Sequence, residues 1–109
     1  MSQFDFSRLY AHYPAIIAMM PEIFTSHQFI LRLAQAQQTL YVEALYAYRT
    51  NTHGEQPAPF RIVHRELARG LAQSNLVKHI GEADSVDIFG RPNRCALWGK
   101  GSSLPLRIH

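Results

Sequence analysis

The chain has 109 residues, of which 47% are hydrophobic and 11% aromatic, and a formal net charge of +3. This length fits one domain with a single core, and the aromatic content excludes disorder throughout the chain. The single cysteine excludes an internal disulfide, and the longest apolar run is far below the ~20 residues of a membrane-spanning helix. No basic cluster precedes an early apolar run, as it would in a signal peptide. We therefore expect a cytoplasmic protein with no membrane partner.

The first 25 residues are predicted to be helical. Ser7 is placed to cap a short segment that runs through His12. Pro14 suits the first turn of a second segment, which ends before Pro21. The pattern leaves open whether these segments form one kinked helix or two short helices.

A long helix is predicted next, from about Ser26 to about Arg49, because no Gly or Pro lies within it. Thr25 and Gln28 have the spacing of a capping box, and Phe24 and Phe29 that of a hydrophobic staple. The helix has an apolar stripe at helical spacing that is interrupted at Gln37. Phe29, Leu40 and Ala47 widen this stripe, which predicts that the helix is buried on more than one side.

The second half begins with a loop and a basic helix. Residues 50–59 contain Asn, Gly and Pro and are predicted to form a surface loop. Residues 60–73 are predicted to be helical, with Val63, Leu67 and Leu71 along one side. Arg61 and Arg65 recur with Arg69 at intervals of four residues on nearly the opposite side.

A β-hairpin is predicted near the C-terminus. The helical period ends here, and residues 86–89 and 94–98 flank the turn residues 90–93. Residues 76–80 fit either a short helix or a strand. The fold class is therefore α+β, mainly helical with a C-terminal β-hairpin. We expect a single domain with an N-terminal helical segment (1–25), a core (26–98) and a flexible tail (99–109).

Positive charge is concentrated in the second half of the chain. Residues 61–109 contain eight Lys or Arg and four Asp or Glu, whereas residues 1–60 contain three and four. A cationic surface of this kind attracts polyanions, of which nucleic acid is the commonest.

Residues 66–80, with the sequence ELARGLAQSNLVKHI, resemble a helix-turn-helix core in which Ala68 packs inward and the turn lies near 72–74. A long helix, a basic helix and a basic-tipped hairpin follow one another over roughly residues 24–100, and this order resembles the winged helix-turn-helix superfamily. The resemblance implies a winged-helix-like fold and DNA binding in transcription regulation. In that family a helix enters the major groove of the double-stranded DNA and the hairpin, or wing, contacts the backbone or the minor groove.

The candidate nucleic-acid-binding residues follow from this arrangement, since Lys and Arg neutralise phosphates and Arg also reads guanine. They are Arg61, Arg65, Arg69, Asn75 and Lys78 on the groove side, Arg91 and Arg94 on the wing, and Lys100 as an outlying phosphate contact. The competing interpretation is that the three arginines of the helix form an ordinary solvated face.

The histidines and the cysteine are the candidate residues for a metal site or an enzyme active site. His53, His64, His79 and Cys95 do not have the spacing of a short-range zinc motif. We expect His64 to be a hydrogen-bonded residue at the edge of the core and Cys95 to be a small buried strand residue. No Gly-rich phosphate loop or GxSxG motif occurs, so we expect no enzyme, metal or cofactor. An enzyme built on the His and Cys residues remains the third hypothesis.

Tyrosines on the long helix support the second hypothesis, a protein-interaction module or homodimer. Tyr46 and Tyr48 cannot share one side of a helix, so one of them faces solvent or a partner. With Tyr41 they form the candidate interface, because tyrosine is large and amphipathic. Trp98 is expected to close the core under the hairpin, with base stacking as its alternative role.

Overall fold

The computed structural model describes residues 4–100, except for the side chain of His53. Within that range the chain forms five helices and five strands, and the helices hold about half of the described residues. The predicted α+β class with a C-terminal hairpin is confirmed. The elements are α1 (Ser7–Tyr10), α2 (Tyr13–Met19), β1 (Ile23–Thr25), α3 (Ser26–Ala36), α4 (Gln38–Ala47), β2 (Thr52–His53), β3 (Gln56–Pro57), α5 (Pro59–Gln73), β4 (Val77–Val86) and β5 (Pro92–Lys100).

The N-terminal segment forms two short helices, which settles the question that the sequence left open. The prediction that Ser7 caps the first helix is wrong. The N-cap position of α1 is Phe6, and both the backbone N–H and the hydroxyl of Ser7 donate to the carboxylate of Asp5. These bonds lower the pKa of Asp5.

The predicted start of α3 is confirmed in its details. Thr25 Oγ1 accepts a hydrogen bond from the Gln28 N–H, and Gln28 Oε1 accepts one from the Thr25 N–H. This reciprocal pair satisfies two backbone donors at the helix start. The rings of Phe24 and Phe29 stack with their centroids 6.1 Å apart, as the staple requires.

The single long helix predicted over residues 26–49 is wrong, because the chain breaks at Gln37 (φ −125°, ψ 58°) into α3 and α4. In an unbroken helix the apolar stripe would carry the Gln37 amide into the core, where a polar group without a partner is costly. The break lets α4 change direction and pack against α5 and α1 as well as α3.

The hairpin of β4 and β5 is also confirmed, although its turn lies earlier than predicted. β4 ends at Val86, and Pro92 opposite it already belongs to β5. Residues 76–80 resolve largely as strand, so the second helix implied by the helix-turn-helix resemblance is not formed there. The basic helix α5 directly precedes the hairpin. Asn75, at the junction, has a left-handed backbone conformation (φ 63°).

A short strand that the sequence analysis missed completes the sheet. β1 pairs with β5, so that the antiparallel order is β1-β5-β4, and Phe24 lies opposite Trp98. The predicted role of Trp98 in closing the core is confirmed, because its side chain is buried and its Nε1–H donates to Ser26 Oγ at 2.8 Å. That burial removes Trp98 as a base-stacking platform.

One hydrophobic cluster, from Phe4 to Trp98, joins the five helices to the three-stranded sheet. The N-terminal helices therefore contribute to the same core as the sheet. Tyr10 packs directly on Gly70 of α5, where an added Cβ would lie 2.8 Å from the ring atom Cδ1. Gly99 and Lys100, which were assigned to the flexible tail, belong to β5, whereas residues 101–109 lie outside the described residues.

Candidate functional site

A cleft of about 480 Å³ separates the N-terminal half of α5 from the turn of the hairpin. The two elements lie side by side and run in opposite directions, because residues 74–76 connect the end of α5 to the start of β4. Phe60 at the start of α5 therefore meets Phe89 in the turn, with ring centroids 4.6 Å apart and nearly perpendicular planes. α3 and Trp98 form the remaining walls.

Three of the predicted cationic residues lie together on this cleft. Arg61 and Arg65 line it from α5, one helical turn apart, and Arg91 lines it from the hairpin turn. All three are exposed. Neither Arg61 nor Arg65 forms an ion pair with a carboxylate in residues 4–100. Their positive charge is therefore not neutralised locally.

Arg91 is partly neutralised by Asp87, whose Oδ2 lies 3.4 Å from its Nε. The same carboxylate holds the turn, since Asp87 Oδ1 accepts from the N–H groups of Phe89 and Arg91 at 2.9 and 3.0 Å. The backbone hydrogen bond from Arg91 is the main reason that the pKa of Asp87 is lowered. Gly90 takes a positive φ of 83°, which favours glycine at this point of the turn.

The other predicted nucleic-acid-binding residues do not line the cleft. Arg69 lies further along α5, with its Nη1 3.7 Å from Glu66 Oε2. Arg94 pairs with Asp84 directly across the hairpin, and its Nη1 donates to Asp84 Oδ1 at 3.2 Å. Exposed cross-strand pairs of this kind contribute little stability, but they reduce the charge left for a ligand.

Asn75, Lys78 and Lys100 occupy the opposite end of the hairpin. Lys78 is eight residues from Val86 along β4, which places it about 25 Å from the turn. Lys100 is opposite Val77, and its backbone N–H donates to the Glu22 carbonyl at 2.9 Å. The expected single surface of eight polar residues is therefore reduced to three arginines at the cleft.

Histidine and cysteine residues also line the cleft. His64 is partly buried on α5, and its Nε2 shares a hydrogen bond of 2.6 Å with the Tyr41 hydroxyl. Burial lowers the pKa of His64 to about 4 and raises that of Tyr41 to about 12. His64 is thus neutral near pH 7, and the prediction that it is a hydrogen-bonded residue at the core edge is confirmed.

His27 and Cys95 are the other two such residues on the cleft wall. Nδ1 of His27 is buried and has no hydrogen-bond partner in residues 4–100. Cys95 lies on a strand as predicted, but it is only partly buried. No three His, Cys, Asp or Glu side chains within the described part of the chain are grouped as metal ligands.

The three candidate interface tyrosines have separate environments. Tyr48 is buried and stacks on Phe6, while Tyr41 is turned toward His64. Tyr46 alone of the three is well exposed, with 62% of its surface accessible, and the Arg49 guanidinium lies 3.9 Å from its ring centroid. Tyr46 and Tyr48 thus face different sides, as their spacing predicted.

Sequence reasoning missed the aromatic part of the cleft. Phe60 and Phe89 were treated only as helix and strand residues, yet 43% and 48% of their side-chain surfaces are exposed. The available signal was their position, since Phe60 follows two prolines at the helix start and Phe89 precedes Gly90. A large apolar residue beside a turn lies away from the core, so its side chain is expected to be exposed.

Comparison with protein-family models, with curated proteins and with solved structures found no match to this chain. No helix in residues 4–100 is long and apolar enough to cross a membrane.

Proposed function

We propose that this protein binds nucleic acid, with double-stranded DNA as the first candidate, through the cationic cleft between α5 and the hairpin turn. The observation that carries the proposal is that arginines from two separate segments, Arg61 and Arg65 on one side and Arg91 on the other, line the same open cleft. A phosphate chain that runs along this cleft contacts guanidinium groups on both of its sides.

The chemistry of binding is phosphate neutralisation, without a catalytic step. Each Lys or Arg that contacts a phosphate releases condensed counterions, so affinity depends strongly on salt. Arg61 and Arg65 are the strongest contacts because no carboxylate in residues 4–100 pairs with them. Arg91 contributes less, since Asp87 lies beside it.

The winged-helix resemblance supports the same proposal, with α5 in place of the recognition helix that the resemblance implied after residue 74. α5 directly precedes the hairpin, so α5 takes the position of the helix that enters a groove and the turn takes that of the wing. A regulator or accessory factor of DNA transactions is the role that fits such a module.

The test is the affinity for a labelled duplex of about two helical turns, compared between the wild type and an Arg61→Gln/Arg65→Gln variant. An exposed contact between unit charges gives about 1 kcal/mol, so loss of both should weaken binding about thirtyfold at low salt.

The control is Arg32→Gln, an equal change of charge per site on α3, where the side chain lies near Met20 and Gln28. It should leave affinity within about twofold of the wild type. Weakening by the same factor per removed charge in both variants would mean that only net charge matters and would contradict a defined site.

A second candidate function, protein interaction through α4, is favoured by one specific observation. Val42 and Tyr46 are 60% and 62% exposed, and their spacing of four residues places them together on one face of the helix. An exposed aliphatic side chain beside an exposed tyrosine ring is a common centre for an interface.

Sedimentation of the wild type over a wide concentration range tests this alternative as a homodimer. Self-association that Tyr46→Ser abolishes, while Tyr10→Phe in the core does not, would support it. A strict monomer at high concentration would contradict the homodimer.

A further inference from the structure

The aromatic wall of the cleft has no role in phosphate neutralisation. Nearly half of the side-chain surface of Phe60 and of Phe89 is exposed, at 43% and 48%. The two rings meet edge to face, with an angle of 73° between their planes. Exposure of two phenylalanine rings to water is unfavourable in free energy, and a ligand that packs an apolar face against them would reduce that cost.

The size of the cleft restricts what enters it. Its volume of about 480 Å³ lies within the range of about 300–1,000 Å³ found for small-molecule sites. A base within a duplex has both faces stacked and one edge paired, so it cannot enter such a cleft. An unpaired base can, because its faces are free to contact aromatic side chains.

Polar groups in the cleft match the edge of a base. Asn93 lines the hairpin side, and its Oδ1 accepts the Arg94 N–H at 2.8 Å. The two N–H donors of its amide nitrogen form no hydrogen bond with residues 4–100 and are free for a base acceptor. Arg61 and Arg65 stand on the opposite wall.

We infer that the cleft receives one unpaired nucleobase, which contacts Phe60, Phe89 and Asn93, while the phosphates on either side of it contact Arg61, Arg65 and Arg91. This inference rests on the proposed function and narrows its ligand to nucleic acid with an unpaired nucleotide. Duplex DNA without such a nucleotide makes only the phosphate contacts.

The decisive comparison uses three labelled duplexes: fully paired, with a one-nucleotide bulge, and with an abasic residue at that bulge. The two bulged duplexes have the same charge and differ only in the base. Stacking of one base on an aromatic side chain predicts that the bulged base improves affinity about 5- to 150-fold over the abasic bulge.

A pair of matched variants locates the effect. Ala68 lines the cleft, whereas Ala72 is exposed one turn later on the same helix. Ala68→Leu extends the side chain at the cleft wall, reduces the space for a base and should lower the ratio of the two bulged affinities. Ala72→Leu adds the same volume outside the cleft and should preserve that ratio.

The outcomes separate this inference from the proposed function. Equal affinity of the wild type for all three duplexes would overturn the unpaired-base site and leave phosphate binding intact. Failure to bind any of them at low salt would overturn both. A ratio preserved in Ala68→Leu, with that variant folded by its thermal transition, would place the base elsewhere and also overturn the inference.

Discussion

The contact between Tyr41 and His64 joins α4 to α5 at the back of the cleft. The hydrogen bond of 2.6 Å joins the Tyr41 hydroxyl to a ring nitrogen that burial keeps neutral, with the pKa of His64 lowered to about 4. Asp87 opposes this lowering of the His64 pKa and His27 adds to it, so titratable groups from the turn and from α3 both lie near the imidazole. Phe60 and Phe89 pack beside the same ring.

This environment predicts that the protein loses stability in mild acid. The unfolded chain binds a proton at His64 near pH 6.5, whereas the folded chain binds one only near pH 4. The contribution of neutral His64 is therefore complete above about pH 6.5 and is lost as the pH falls toward 4. We expect the free energy of unfolding by denaturant to be about 2 kcal/mol lower at pH 4.5 than at pH 7 from this residue alone.

His64→Gln isolates that contribution from the other histidines. Its absolute stability should be lower than that of the wild type, but the difference between pH 7 and pH 4.5 should shrink by about 2 kcal/mol. An unchanged difference would mean that His64 is protonated in the folded protein at the lower pH. The carboxylates with lowered pKa values, Asp5 and Asp87, lose their contributions at still lower pH and fall outside this window.

At the scale of elements, patterns among a few neighbouring residues predicted where a helix starts and where a turn lies. They did not predict whether a helix continues without a break. The capping box at Thr25 was recognised because all its partners lie within three residues of one another. The break at Gln37 was not, because it depends on where α4 packs in the folded protein. The same holds for β1, a strand of three residues that is stabilised by pairing with β5, more than seventy positions later.

The capping box supplies a prediction for the stability of this junction. Thr25→Ala removes the hydroxyl that accepts the Gln28 N–H and should lower the free energy of unfolding by about 1 kcal/mol. Thr39→Ala, at an exposed position in the first turn of α4, changes the same group without a cap and should stay within about 0.5 kcal/mol of the wild type. A similar loss in both variants, measured by denaturant unfolding, would contradict a specific capping role.

The hairpin turn illustrates why a predicted site was only partly right. Glycine and proline near residue 91 located the turn to within a few residues, but the sequence could not show that Asp87 would hold it. That carboxylate positions Arg91 on the cleft and also reduces its charge. Arg94 was predicted as a wing contact from its position alone, and its in-register partner Asp84 became evident only from the strand pairing.

At the scale of the whole molecule, the described chain is elongated, with extents of 52 × 28 × 24 Å. The side-by-side placement of α5 and the hairpin distributes the basic residues along this body, so charge balance alone could not say which of them converge. The sequence predicted a cationic second half, and the fold divides it between a cleft with three arginines and a distant group near residues 75–78 and 100. The two rings of the aromatic wall, Phe60 and Phe89, lie 29 positions apart in the sequence, which is why that wall was missed.

The most direct test of the central claim is the salt dependence of wild-type binding to DNA. Three phosphate contacts at the cleft predict a slope of about −2.7 for the logarithm of the binding constant against the logarithm of salt concentration, between about 50 and 200 mM. The Arg61→Gln/Arg65→Gln variant, which retains Arg91, should bind with a slope of about −0.9. A flat salt response in the wild type, or no binding at the lowest salt, would contradict the account.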